Sequence, residues 1–153
     1  MRVEQRLKEL GITLPTAPKP VANYLPAVRA GELLFTSGML PMKDGTLAYE
    51  GKLGKELSVE LGQEAARLAA LNALAVVKQE LGSLDNVARV VRLTGHVASA
   101  PGFVQQPAVL NGASDLLVAI FGEAGRHTRA ALGAAELPLG SPIELELIVQ
   151  IRP

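Results

Sequence analysis

His127–Ile151, HTRAALGAAELPLGSPIELELIVQI, is the stretch that decides the fold. It reads as two strands joined by a tight Leu137-Pro138-x-Gly140 turn. In the second strand Ile143, Leu145, Leu147, Val149 and Ile151 alternate with Glu144, Glu146, Ile148 and Gln150. That is the period of a strand with one face buried, so both glutamates point away from the main core. The first strand is built of small apolar residues around one arginine, Arg129, which is expected to face the glutamates across the sheet. An arginine fork beside a carboxylate is suited to gripping a small carboxylic acid and positioning a water.

Upstream, Val3, Leu7 and Leu10 recur at helical spacing, and Gly11 is placed to end a short helix over residues 1–11. Pro15, Pro18, Pro20 and Pro26 make residues 12–26 an extended connection. Ala27–Ala30 and Leu33–Ser37 flank Gly31-Glu32, a two-residue hairpin turn. Residues 40–57, rich in Gly and Lys, read as a long surface loop. Ser58 is a good N-cap for a long helix with the apolar stripe Leu61, Ala65, Leu68, Leu71 and Ala75, closed by Gly82. A strand follows over Val87–Ala98, with Val87, Val91, Leu93 and Val97 on its buried side. Pro107 opens a second helix that contributes Leu110, Leu117, Ile120 and Phe121 and stops at Gly125.

The order is β-β-α-β-α-β-β, preceded by the short helix, in one domain spanning residues 1–153. The strand pairs at both ends argue for an α+β fold, a mixed sheet with two main helices on one face, over a doubly wound sheet. The other face then carries Val90, Arg92, Ala130, Leu132, Glu144 and Ile148. That mixture is too apolar for a wet surface and too charged for a core, so it reads as a subunit interface with a polar site embedded in it.

Composition narrows the chemistry. Lys+Arg and Asp+Glu number 15 each, and there is no tryptophan. Nucleic acid is therefore not expected as a partner, because the basic excess and the aromatic stacking platform that binding requires are both missing. The chain has no cysteine and only two histidines, so no thiol nucleophile or Cys/His metal cage is expected. The N-terminus lacks a signal-peptide pattern and no apolar run approaches the length needed to span a bilayer, so a cytoplasmic protein without a membrane role is expected.

The hairpin followed by Thr36-Ser37-Gly38, then His127-x-Arg129, Leu137-Pro138 and Glu144-x-Glu146, resembles the RidA family. These are YjgF-type enamine/imine deaminases, long labelled translation inhibitors or ribonucleases. The resemblance runs from about Tyr24 to Ile151 and rests on the order and spacing of short motifs. It implies a chorismate-mutase-like fold and a homotrimer with sites in clefts between subunits. By the same resemblance Arg129 holds a substrate carboxylate and Glu144 positions the hydrolytic water, with Tyr24, Ser37, Gly38 and Asn111 lining the substrate. No metal or organic cofactor is implied. The chain departs from well-known members in its N-terminal helix, in a longer loop before Ser58, and in Ala131 where many deaminases have cysteine.

Three functions follow, in order of preference. The first is hydrolytic deamination of 2-enamino or 2-imino acids to 2-keto acids and ammonia. The second is a non-catalytic trimer that senses a small carboxylate-bearing metabolite. The third is a ribonuclease, against which the neutral charge weighs. Glu146 reads as an interface charge, His96 as a satisfied interface histidine, and His127 as a support for its neighbours or a residue without a role.

Overall fold

The chain is described here by a computed structural model covering residues 2–20 and 22–153; positions 1 and 21, within the expected helix and connection, lie outside the described residues. The apolar alternation builds a five-stranded sheet from β1 (Ala27–Ala30), β2 (Leu33–Thr36), β5 (Val87–Ala98), β6 (Thr128–Ala134) and β7 (Ile143–Ile151). Its order is β1-β2-β7-β5-β6, with β5 and β6 parallel and the other pairs antiparallel. Two long helices, α2 (Val59–Leu81) and α3 (Gln106–Phe121), cover one face, and a short α1 (Val3–Glu9) precedes them. The architecture is thus the expected mixed sheet with its two main helices on one side.

The core lies between sheet and helices. Leu34, Leu93, Val97, Leu145, Leu147 and Val149 meet Leu74 of α2 and Leu110 and Leu117 of α3, all buried. Close approach depends on small residues. A Cβ on Gly112 would lie 2.1 Å from the backbone oxygen of Gln63, so α2 and α3 touch there backbone to backbone. A Cβ on Gly95 would meet Leu110, which leaves the middle of β5 open to the helix above it. Ser58 caps α2 by accepting from Leu61 N at 3.2 Å, and Gly82 closes it in the left-handed conformation at φ 82°.

Several expectations are corrected. The closing strands are not neighbours, because β5 lies between β6 and β7. The chain between them is an irregular connection containing a 3-10 turn at Pro138–Gly140. A β-bulge around Val90–Arg92 resets the alternation of β5, so Val90 is buried on the helix side and Val91 is only half-buried. Helix α3 ends at Phe121, capped by Gly122, and a 3-10 turn carries the chain on to Gly125. Leu61 lies in the exposed first turn of α2 rather than in its core stripe.

Residues 40–57 are not a free loop. They contain a small hairpin, β3 (Met42–Lys43) with β4 (Thr46–Leu47), and a fully buried Leu53. Leu53 is tied on both sides, its N–H to Ala98 O and its carbonyl to Ala100 N, each at 2.9 Å. Gln106–Gly125 does reach the length and apolarity of a membrane span, contrary to expectation. Within it Val109, Leu110, Ala113, Leu116, Leu117 and Ile120 are buried as a core helix would bury them.

Helix α1 is fastened by polar contacts. Glu4 Oε1 accepts from Leu84 N at 3.0 Å, Glu4 N donates to Asp85 Oδ1 at 3.1 Å, and Lys78 Nζ lies 3.1 Å from Glu4 Oε2. Arg6 Nε donates to Ala119 O at 3.0 Å, tying α1 to α3.

Candidate functional site

Parallel register sets Arg129 beside Leu93, whose side chain is buried under the helices, so Arg129 also points to the helix face. Register in β7 sets Glu144 beside His96 and between the buried Ile143 and Leu145, so Glu144 points to the opposite face. The expectation that arginine and glutamate face each other across the sheet is therefore wrong for a single chain. Two half-sites result.

The first half-site gathers around Arg129. Its Nη1 donates to Asn111 Oδ1 at 2.9 Å and to Ser114 Oγ at 3.2 Å. Asn111 and Ser114 are three residues apart on α3, the spacing that presents two side chains on one helix face. The Nε–H and Nη2–H groups, the edge that grips a carboxylate side-on, have no acceptor among the described residues, and no carboxylate pairs with Arg129 there. The guanidinium opens on a cleft of about 430 Å³ lined by Ser114, Asp115, Val118, Arg126, His127 and Arg129. This is a half-buried cation, oriented through one nitrogen and unoccupied along its best edge.

The second half-site gathers Ser37, Gly38 and Glu144, with Tyr24 close along the chain. Ser37 Oγ donates to Leu25 O at 2.6 Å and Ser37 N to Pro26 O at 2.8 Å, which folds the Tyr24 segment back against the end of β2. Tyr24 itself is 52% exposed. A Cβ on Gly38 would lie 2.9 Å from Glu144 Cγ, Cδ and Oε1, so the glutamate lies over the bare backbone of Gly38. The Glu144 carboxylate makes no hydrogen bond or ion pair with any described residue, which leaves both oxygens open as acceptors.

Ser114 and His127 complete the arginine half-site. Sequence reasoning missed Ser114, whose only signal is its spacing from Asn111. His127, two residues before Arg129, shares its side of the chain; its Nε2 lies 2.9 Å from Ser114 Oγ and its Nδ1 2.6 Å from Gly125 O. His96, expected to be a satisfied interface histidine, has no hydrogen-bond partner among the described residues of the single chain. No group of His, Asp and Glu able to hold a metal occurs among them either.

Comparison with known proteins places the fold. The family described as "YjgF/chorismate_mutase-like, putative endoribonuclease" matches residues 4–151, and the chain belongs to it. The protein Atu1372 from Agrobacterium tumefaciens, of unknown function, shares 49% identity and a TM-score of 0.90, covering 97% of this chain and 92% of its own. Protein TCP17 of Trypanosoma cruzi is 45% identical over 99% of this chain and 95% of its own length. A 2-iminobutanoate/2-iminopropanoate deaminase of Dermatophagoides farinae is 27% identical over 92% of this chain and 95% of its own. The fold is the chorismate-mutase-like one of this family.

Proposed function

We propose that this chain is a hydrolytic deaminase of small 2-imino acids, working at clefts where copies of the chain meet. The observation that carries the reading is Arg129, pinned to α3 by Nη1 alone and left with an unpaired carboxylate-gripping edge. The likeness to the mite deaminase supports the same substrate class.

The 2-enamino acid tautomerises to the 2-imino acid, and Arg129 holds the carboxylate bidentately to present C2 in one orientation. Water adds to C2; Glu144 takes a proton from that water and delivers one to nitrogen. Glu144 then takes the hydroxyl proton of the carbinolamine and passes it to the amino group, and the C2–N bond breaks as the C=O bond forms, releasing ammonia and leaving the 2-keto acid. Since Arg129 and Glu144 lie on opposite faces of one sheet, the reading requires the Glu144 half-site of one copy to close on the Arg129 half-site of another. A homotrimer supplies that arrangement three times.

The test is ammonia release from imino acids generated in situ from small neutral amino acids, with chelator present. Turnover that survives chelator is expected, and its loss to chelator would point to a different mechanism. A second reading, a carboxylate-binding sensor, is favoured by one observation: a single copy holds the whole arginine grip while its own Glu144 lies on the opposite face of the sheet. Carboxylate binding without turnover across a broad imino-acid panel would select it. Ribonuclease activity stands last, since zero net charge provides no phosphate-binding stripe.

A further inference from the structure

The arginine grip is more than one residue. Arg129 Nη1 reaches Ser114 Oγ, Ser114 Oγ meets His127 Nε2, and His127 Nδ1 meets the Gly125 carbonyl. The proton order in this row is dictated by its two ends. A carbonyl only accepts, so Nδ1 carries the proton and donates to Gly125. In the neutral ring Nε2 is then bare and accepts, so the Ser114 hydroxyl donates to it. With its proton directed to His127, Ser114 turns a lone pair toward Arg129, which only donates.

Hydroxyl rotors on a helix have a competing local partner, the carbonyl one turn back. The imidazole removes that choice. The short 2.6 Å contact to Gly125, the residue that ends the turn after α3, holds the ring in place. Gly125 is itself packed so closely that a Cβ there would lie 2.3 Å from Leu117 O, so the carbonyl has a rigid support.

We propose that Ser114 and His127 are positioning residues that fix the plane of the Arg129 guanidinium, so that its free edge is already set for a carboxylate before one binds. This rests on Arg129 being the carboxylate grip. Asn111 takes one N–H of Nη1, and a single bond leaves rotation about it; Ser114 takes an N–H of the same nitrogen in a second direction, and two directions at one planar nitrogen fix the plane. Neither positioning residue needs to touch the reacting carbon, so their loss should appear in affinity and not in the chemical step.

The test is binding of propionate and 2-oxobutanoate, followed by NMR titration on the intact protein, together with imine turnover kinetics. Ser114→Ala and His127→Phe should each weaken carboxylate binding about tenfold, as expected for losing or misaligning a hydrogen bond to a charged group. Where turnover is measurable, KM should rise by a similar factor with kcat nearly unchanged. Ser114→Thr keeps the hydroxyl and His127→Gln keeps an acceptor near Nε2, so both should bind close to the parent level. The double variant Ser114→Ala/His127→Phe should be no worse than either single one, because the two residues act through one bond.

Imidazole ¹⁵N spectra should show the Nδ1–H tautomer for His127 in the parent protein. Unchanged affinity in Ser114→Ala and His127→Phe, multiplying losses in the double variant, or the opposite tautomer would each overturn the proposal. The outcome separates from that of the deaminase reading. If imine turnover is absent but Arg129→Ala and Ser114→Ala both weaken carboxylate binding, the positioning row stands and the deaminase reading falls. If Arg129→Ala leaves carboxylate binding intact, the positioning row falls with the grip.

Discussion

At the scale of single residues, the proposed deamination divides the work between Arg129, which orients, and Glu144, which transfers protons. Lysine at 129 keeps the charge but loses the planar fork, and it cannot serve Asn111 and Ser114 from one nitrogen while presenting a second edge. Arg129→Lys should therefore be nearly as damaging as Arg129→Ala, costing about 2–4 kcal/mol in transition-state stabilisation as measured by kcat/KM. Full activity in the lysine variant would show that Arg129 is structural. Glu144→Gln keeps shape and removes the proton acceptor, so carboxylate ligands should bind normally while turnover is lost. Gly38→Ala tests the same carboxylate from beneath: its new methyl would lie 2.9 Å from Glu144 Cγ and Cδ and push them aside, so it should lower kcat without unfolding the chain. An alanine variant with parental kcat would mean that the position of Glu144 over Gly38 is immaterial.

At the scale of elements, contact between α2 and α3 decides whether Asn111 and Ser114 stand where Arg129 can reach them. The crossing is set by Gly112, next to Asn111, against the backbone oxygen of Gln63. Backbone does not yield as a flexible side chain does, so Gly112→Ala must push the helices apart. It should cost about 1–3 kcal/mol of stability as overpacking does, and lower Tm by several degrees in a thermal melt. An unchanged Tm would show that the helices can separate freely there. Carboxylate affinity should fall in the same variant, since α3 carries both acceptors of Arg129.

At the scale of the whole molecule, the uncovered face of the sheet carries the next question. Across four strands, register aligns Val28, Phe35, Ile148 and Arg92 in one row, and Leu132, His96 and Glu144 in another. Val28, Phe35 and Leu132 are 50%, 39% and 47% exposed in one chain, an apolar surface with charged and imidazole groups among it. The proposed function requires that contacts between copies also bring a Glu144 half-site to a neighbour's Arg129. The chain should run as a trimer by light scattering coupled to size exclusion at low micromolar concentration. Leu132→Glu, which buries a charge in the contact, should shift it toward monomer and lose turnover together. A clean parental monomer would remove the shared site.

The sequence by itself determined the main strands and helices, though not the β3–β4 hairpin, and one of the two faces that matter. Strong contrast along Ile143–Ile151 made the outward direction of Glu144 legible, and Ser58, Gly82 and Gly31 marked caps and turn because local backbone geometry demands those residues. The face of Arg129 was not legible. Apart from Arg129 and Leu132, Thr128–Ala134 is made of small residues at both parities, so it carries little hydrophobic contrast to say which side is buried. Tertiary structure decided it. Pairing of β6 to β5 through the α3 crossover placed Arg129 under the helix and separated β6 from β7, and the bulge at Val90–Arg92 reset the parity of the strand between them. Strand order and register are contacts between residues far apart in the chain, and a periodicity of two records only that one side is buried, not which neighbour it meets.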